Sequence, residues 1–254
     1  MNTLTIFRKE LNSYFRSPIA YGVLTLFAAL TGVFFFIFVQ SFVQYSIQSA
    51  MTGQGGPISV NDVVVRNALG NYSVIGLFLI PMITMRLFAE EKRTGTIELL
   101  VTSPISDWEI ILGKWLAAFA LYAVMLGISA LSMALLFLYG NPDWRPLVVG
   151  YLGLLLQGGC LLAIGTFIST CTRNQIVAGV AGFSVSLLLY IANWASDFGS
   201  TGVSQIIGYL SIQSHFESFS KGVLDSKDVI FYLSVMFVGL FLTARSLESL
   251  RWRS

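Results

Sequence analysis

The chain has 254 residues, of which 55% are hydrophobic and 11% are charged. A water-soluble domain of this length needs more polar surface to cover its core, so the composition predicts an integral membrane protein. The net charge of +2 is too small to indicate a nucleic-acid partner. Two cysteines and one histidine cannot supply a standard zinc ligand set, which argues against metal or redox chemistry.

The chain begins with an amphipathic stretch, residues 2–16. One helical face carries apolar side chains and the opposite face carries polar ones, which predicts an interfacial helix along the inner leaflet. The apolar face holds Leu4, Phe7, Leu11, Tyr14 and Phe15, and the polar face holds Lys9, Ser13 and Arg16. Pro18 disfavours helical geometry at Ser17, so an elbow is expected before the first long apolar run.

Six apolar runs follow, each able to span a bilayer, which takes about 20 mostly apolar residues in a helix. They cover residues 19–43, 72–88, 110–139, 147–168, 176–195 and 229–244. With the N-terminus inside, 11 of the 15 Lys and Arg residues fall on one side, so both termini are expected in the cytoplasm. Apart from Arg86, no ionisable residue is expected to be buried in a span, which argues against an ion-coupled carrier.

Besides a tight turn at residues 140–146, two longer stretches are expected on the outer side of the membrane. Residues 44–70 are polar and centred on glycines, which predicts a loop. Residues 197–228 are half apolar, which predicts short helices that dip back into the outer membrane surface. His215 lies in this second stretch, and a lone histidine there is expected to be a satisfied interfacial residue and not a catalyst.

The densest charge lies between the second and third runs, in residues 90–104, which read E-E-K-R-T-G-T-I-E-L-L-V-T-S-P. Arg86 and Glu90 are spaced i,i+4, which favours a helix that continues out of the lipid. Gly95 is expected to end that helix, because glycine tolerates the left-handed conformation. Thr96 is expected to cap a second short helix over residues 97–101.

The end of this stretch carries two further signals. Pro104 interrupts the short helix, and Ser106 opens a capping box, S-x-x-E, ahead of the third long helix. A charge run is usually only a solvated loop that sets topology. An ordered series of stops and caps is more than a passive linker needs, and it favours a short helix that presents its side chains to the cytoplasm.

Residues 90–104 resemble the signature of ABC-2 type transporter permeases. In that signature a basic, Glu-rich turn follows the second span and is succeeded by G-T-[IL]-E-x-L-L and then S/T-P. The resemblance covers the whole chain. Residues 209–228 and 246–252 resemble, less specifically, the gliding-motility-associated branch of these permeases.

The resemblance implies an all-α integral membrane protein similar to type V ABC exporters, in a bacterial inner membrane. Residues 1–254 would form a single ABC-2 transmembrane domain with six transmembrane helices and both termini inside. It would contain an N-terminal interfacial helix over residues 2–16, a cytoplasmic coupling segment over 89–105, and a short helical re-entrant outer segment over 197–228.

The resemblance also implies partners. Two permease copies would pair, as a homodimer by default, usually through spans one and five. Each would rest on a separate ATPase subunit that binds ATP and Mg, since this chain has no G-x-x-x-x-G-K-[ST]. The gliding-type branch typically comes with a membrane protein that bears a large extracytoplasmic domain. Coupling to the ATPase would fall to Glu90, Glu91, Lys92, Arg93, Gly95, Thr96, Ile97, Glu98, Leu100, Val101 and Pro104.

Three functions remain to be compared. The first is ATP-driven export of an amphiphilic or lipid-like substrate, and the second is ATP-driven motion that remodels a periplasmic partner without transport. The third is an intramembrane enzyme, because Glu90 and Glu91 invite comparison with the E-E-x-x-x-R motif of membrane proteases. Here Gly95 replaces the arginine, and the chain has one histidine and no G-x-S-x-G, so no catalytic residues are expected.

Overall fold

The computed structural model describes residues 2–52, 59–101, 105–140, 142–197 and 202–251, and these ranges contain helices but no strands. Six candidate membrane spans lie among them. In chain order the elements are α1 (Asn2–Arg16), α2 (Pro18–Thr52), a π-helical turn (Asn61–Val65), α3 (Arg66–Thr84), α4 (Ala89–Thr94), α5 (Thr96–Val101), α6 (Asp107–Tyr139), α7 (Trp144–Cys171), α8 (Gln175–Asp197), α9 (Gly202–Tyr209), α10 (Ile212–Ser220) and α11 (Ser226–Arg251).

The six apolar runs correspond to long helices. Five of the runs lie inside single helices, namely α2, α6, α7, α8 and α11. The second run differs, because α3 starts earlier, at Arg66, and ends at Thr84, and a turn then leads into α4. The elbow expected at Ser17 is confirmed, since α1 ends at Arg16 and α2 begins at Pro18.

The prediction of a loop is wrong for residues 44–52 and 61–70, while its glycine-rich centre, residues 53–58, lies outside the described residues. Helix α2 continues to Thr52, and helical structure resumes at Asn61. This second part is amphipathic, with its apolar side buried at Val64, Val65, Ala68 and Leu69. Its polar residues lie on the other face. Their number in the sequence is typical of a loop, which explains the wrong prediction.

Helix α7 lies at the centre of the bundle and packs against α3, α6, α8, α10 and α11. Its glycines allow this. A Cβ atom on Gly158 would lie 2.0 Å from Cε1 of Tyr122, and one on Gly165 would lie 2.3 Å from Oγ1 of Thr84. Small residues permit such close helix contacts in membranes. The glycines at positions 158 and 165 therefore serve close packing between α7 and its neighbours.

Replacing Gly158 with Val should lower the free energy of unfolding by at least about 1–3 kcal/mol, because the added side chain overpacks the core. The fully buried Tyr122 would have to move, and its hydroxyl would lose the 3.1 Å hydrogen bond that it donates to the Leu154 carbonyl. Thermal unfolding of the purified chain measures the change. The matched control is Gly127→Val in α6, where nothing lies within 4 Å of the added Cβ. Equal melting of the two variants would contradict the packing account.

The short helices predicted within residues 197–228 are present as α9 and α10. Helix α10 is fastened by His215, whose Nδ1 lies 2.7 Å from Oδ1 of Asp228 and whose Nε2 lies 2.9 Å from the Tyr209 carbonyl oxygen. The imidazole also stacks on Phe231 at 3.9 Å. His215 is thus satisfied by protein partners, as expected. This cluster lies at the end of the bundle opposite α1.

Candidate coupling site

The site is the turn between α3 and α5 together with the helix ends that hold it. Ser169 of α7 sets the start of α4, because its Oγ accepts hydrogen bonds from the backbone amides of Phe88 and Ala89, each at 3.0 Å. The same hydroxyl donates to the Met85 carbonyl at 3.4 Å. The first amides of a helix have no partner within it, so a serine from another helix caps α4.

Replacing Ser169 with Ala should destabilise the chain by about 1–3 kcal/mol, because two buried amides lose their only side-chain partner. Thermal unfolding measures this. The control is Ser184→Ala, since that hydroxyl is exposed and donates only to the Val180 carbonyl of its own helix. That variant should stay within about 0.5 kcal/mol of the wild type. Similar effects of the two substitutions would show that the hydrogen bonds of Ser169 do not stabilise the start of α4.

Three charged residues of α4 connect it to neighbouring elements. Glu90 pairs at 3.0 Å with Arg86 of the preceding turn, so the i,i+4 pair forms, although that turn interrupts the helix predicted to run through these residues. Glu91 pairs with Lys114 of α6 at 2.8 Å. Lys92 donates from Nζ to the carbonyl oxygen of Thr170 in α7. These side chains therefore hold α4 in place, while the exposed part of the site lies further along the chain.

Lys114 is the centre of a buried charge cluster. Its Nζ lies 2.8 Å from Oε1 of Glu91 and 3.0 Å from Oε1 of Glu10 in α1, and its side chain is only 2% exposed. The ammonium group also lies 5.3 Å from the ring centroid of Phe88. The prediction that no ionisable residue besides Arg86 would be buried in a span is therefore wrong. A lysine is stable there because two carboxylates from separate elements pair with it.

The turn from α4 into α5, which we call the tip, is exposed. Gly95 ends α4 with φ 75° and ψ −2°, so the predicted left-handed stop is confirmed. The predicted cap at Thr96 is wrong, because α5 begins at Thr96 itself, whose hydroxyl lies 2.9 Å from that of Thr94. Arg93, Thr94, Gly95, Thr96 and Glu98 are exposed.

The apolar side chains of α5 differ in exposure, and the sequence did not indicate which of them face the protein. Ile97 is half-buried and packs against the core. Leu99 is 74% exposed, although the predicted coupling residues did not include it. Leu100 and Val101 belong to α5, and Pro104 lies outside the described residues.

The capping box at the start of α6 is confirmed and also contacts α1. The Glu109 amide donates to Oγ of Ser106 at 3.3 Å, and the Ser106 amide donates to Oε2 of Glu109 at 3.2 Å. Asn2 donates from Nδ2 to the same Glu109 oxygen at 3.4 Å. The beginning of α1 is thereby joined to the beginning of α6.

Helix α1 packs along α6 through a residue outside the predicted apolar set. Ile6 is its buried residue, and a Cβ atom on Gly113 of α6 would lie 2.8 Å from Ile6 Cβ. Leu4, on the apolar face predicted to meet the inner leaflet, is 56% exposed. Burial raises the pKa of Tyr14, so its neutral hydroxyl donates to the Ile83 carbonyl at 3.5 Å. One short helix thus contacts both α6 and the end of α3.

Sequence reasoning missed Glu10, Lys114, Ser169 and Leu99. The serine and the neighbouring threonines at the end of the fourth apolar run were the available signal, because buried hydroxyl groups need hydrogen-bond partners and most often find them on the backbone. The Glu10–Lys114 contact joins residues 104 positions apart, and no local pattern shows it.

Comparison with known proteins gives a family. The family model described as "ABC-2 family transporter protein" matches residues 4–245. The "Probable multidrug ABC transporter permease YbhR" of Escherichia coli K12 is 24% identical over 163 residues, and the protein of the same name from Escherichia coli O157:H7 matches equally. The aligned region covers 63% of this chain and 43% of each relative.

Proposed function

This chain belongs to the ABC-2 transporter family, and we propose that it is the transmembrane permease subunit that receives force from a separate ATPase subunit binding ATP and Mg. The observation that carries the proposal is the exposed tip formed by α4 and α5, which is fastened to three other helices. A tip that only closed a loop would not need its buried contacts to α7 and α6.

The first step is binding. The tip exposes charges of both signs, at Arg93 and Glu98, beside the exposed apolar Leu99. A protein interface commonly places an apolar side chain within a polar rim. This combination suits a groove on an ATPase subunit, with Leu99 as the apolar contact.

The second step is transmission of force. Helix α4 is joined to α7 through Ser169 and to α6 through the Glu91–Lys114 pair, and Glu10 joins α1 to the same lysine. A push on the tip therefore acts on three helices together. Packed helices respond to such a push by moving as rigid bodies between alternative arrangements.

Pairing of two copies is the third element of the proposal. In the apolar parts of α2 and α8, only 17% of the residues are buried within one chain, against 72% in the span that contains α3. These two helices therefore offer the largest free apolar surfaces, and a symmetric dimer through them would cover part of those surfaces. The Lys and Arg distribution supports an inner-membrane orientation with α1, α4 and α5 in the cytoplasm.

The cargo that fits this arrangement is amphiphilic or lipid-like. Among the described residues, the buried charged groups lie near helix ends, at Lys114 and Asp228. The bundle centre thus lacks the buried charge that ion-coupled carriers use. Paired copies should enclose a groove of amphiphile size, and an interface without one would count against export.

A second candidate function has support at the opposite end. Helix α9 exposes Ile206 and Tyr209, and the turn after α10 exposes Val223 and Leu224. A membrane partner with a large extracytoplasmic domain, of the kind that accompanies the gliding-motility-associated branch, could bind this surface. The motion would then act on that partner instead of exporting a substrate. Copurification of such a partner, without accumulation of any cargo, would favour this second function.

The test of the main proposal is copurification with the ATPase subunit that accompanies the wild-type chain. Leu99→Glu should weaken that association at least roughly tenfold, because it places a carboxylate where an apolar contact is expected. The matched control is Val223→Glu, which changes an exposed apolar residue at the opposite end. Undiminished recovery of the ATPase with Leu99→Glu would contradict the proposed interface.

A further inference from the structure

A basic pocket lies at the elbow between α1 and α2. Its volume is about 450 Å³ and it is partly open. Its lining consists of Lys9, Asn12, Ser13, Arg16, Ser17 and Arg86, which supply three cations, two hydroxyls and an amide. We propose that this pocket binds the phosphate group of an anionic phospholipid from the leaflet that borders α1. The proposal requires that the chain spans a membrane, and it does not depend on coupling to an ATPase.

The guanidinium group of Arg86 is held ready for such a ligand. Its Nε lies 3.0 Å from Oε2 of Glu90, and its Nη1 donates to Oγ of Ser17 at 3.2 Å. The side chain is 22% exposed. A guanidinium presents several N–H donors in a fixed plane, which suits phosphate oxygens. Because the group is already ordered, little side-chain entropy is lost when a ligand binds.

Positive charge exceeds negative charge around the pocket. Glu10 and Glu90 line a smaller adjoining cavity. Glu90 offsets Arg86, while Glu10 is shared between Lys9 at 3.4 Å and the buried Lys114 at 3.0 Å. Among the described residues, no carboxylate pairs with Arg16. An anion would therefore complete the charge balance of this pocket.

The position of the pocket favours a lipid over a soluble anion. It lies where α2 begins its apolar span, next to the exposed residues Ile19 and Tyr21. Leu4 of α1 is exposed as well, as expected of an amphipathic helix in contact with the membrane surface. A phosphate at the level of Ser17 would have its acyl chains beside α2. Basic pockets between membrane helices are known to bind anionic headgroups.

The experiment measures thermal unfolding of the purified full chain while phosphatidylglycerol, phosphatidylcholine or inorganic phosphate is added. A ligand that binds the folded state raises the melting temperature. Phosphatidylglycerol should stabilise the wild type, and phosphatidylcholine and inorganic phosphate should not. The double variant Lys9→Gln with Arg16→Gln should bind phosphatidylglycerol about thirtyfold more weakly, since each basic residue contributes to headgroup attraction. Its melting in phosphatidylcholine should match the wild type, which shows that it folds.

The matched control is Arg8→Gln with Arg245→Gln, which also removes two exposed cations but leaves the pocket intact. This control should keep the response to phosphatidylglycerol, and a loss equal to that of the pocket variant would overturn the site. A wild type that responds equally to inorganic phosphate would overturn the lipid as ligand. Loss of ATPase copurification in the pocket variant, with an unchanged lipid response, would show instead that the pocket serves the ATPase, and would also overturn the proposal.

Discussion

Replacing Lys114 with Met should lower the free energy of unfolding by about 3 kcal/mol, because it leaves two carboxylates without their shared cation in a largely buried site. The side chains of Glu10 and Glu91 are only 14% and 16% exposed. One oxygen of Glu91 already lacks a hydrogen-bond partner among the described residues. The ion pair with Lys114 is therefore the main interaction that stabilises this buried carboxylate. We expect the packing of α1 against α6 and α4 to weaken. Thermal unfolding of the purified chain should then start at a lower temperature.

Two further variants distinguish the effect of the buried charge of Lys114 from the effect of removing an exposed charge. Lys9→Met removes an ammonium group that lies 3.4 Å from the same Glu10 but is 66% exposed. Exposed pairs contribute about 1 kcal/mol at most, so this variant should melt close to the wild type. Combining Lys114→Met with Glu10→Gln and Glu91→Gln should recover much of the lost stability, because no buried charge remains. If Lys114→Met and Lys9→Met melt alike, the cluster does not stabilise the site.

The Lys114 cluster also shows where sequence reasoning ends. The apolar runs, the Gly95 stop and the capping box at Ser106 depend on residues a few positions apart, and all three appear in the structure. Lys114 meets carboxylates 23 and 104 positions away, and its position in the sequence indicates only a basic residue near a membrane boundary. Burial of this charge is a tertiary property, and it depends on α1 and α4 approaching α6 from different directions.

Two other differences have local causes. Residues 61–70 mix polar and apolar side chains, and their polar residues favour a loop although Val64, Val65, Ala68 and Leu69 have helical spacing. In α5, the sequence showed which residues could share a face but not which face meets the protein. Ile97 turns inward and Leu99 outward, and six residues are too few for a period to decide between them.

Replacing Gly95 with Pro should uncouple the permease from its ATPase while the chain still inserts into the membrane. Gly95 has φ 75°, and proline is restricted to about −65°, so the turn between α4 and α5 cannot form as it does in the wild type. The tip would then present Glu98 and Leu99 in a different direction. We expect stimulation of ATPase activity in the reconstituted complex to fall at least roughly tenfold, equivalent to about 1.4 kcal/mol of lost coupling.

Two comparisons show whether shape or stability is responsible. Gly222 also has a positive φ, 78°, and lies at the opposite end, where an added Cβ would come within 2.8 Å of Pro146. Gly222→Ala should therefore lower the melting temperature but leave ATPase coupling intact in the folded fraction. Glu98→Arg keeps the backbone and reverses one exposed charge, so it should reduce coupling while changing the free energy of unfolding by no more than about 1 kcal/mol. If Gly95→Pro and Glu98→Arg both insert stably and both keep normal ATPase coupling, the tip is not the surface on which the ATPase acts, and force must enter the bundle elsewhere.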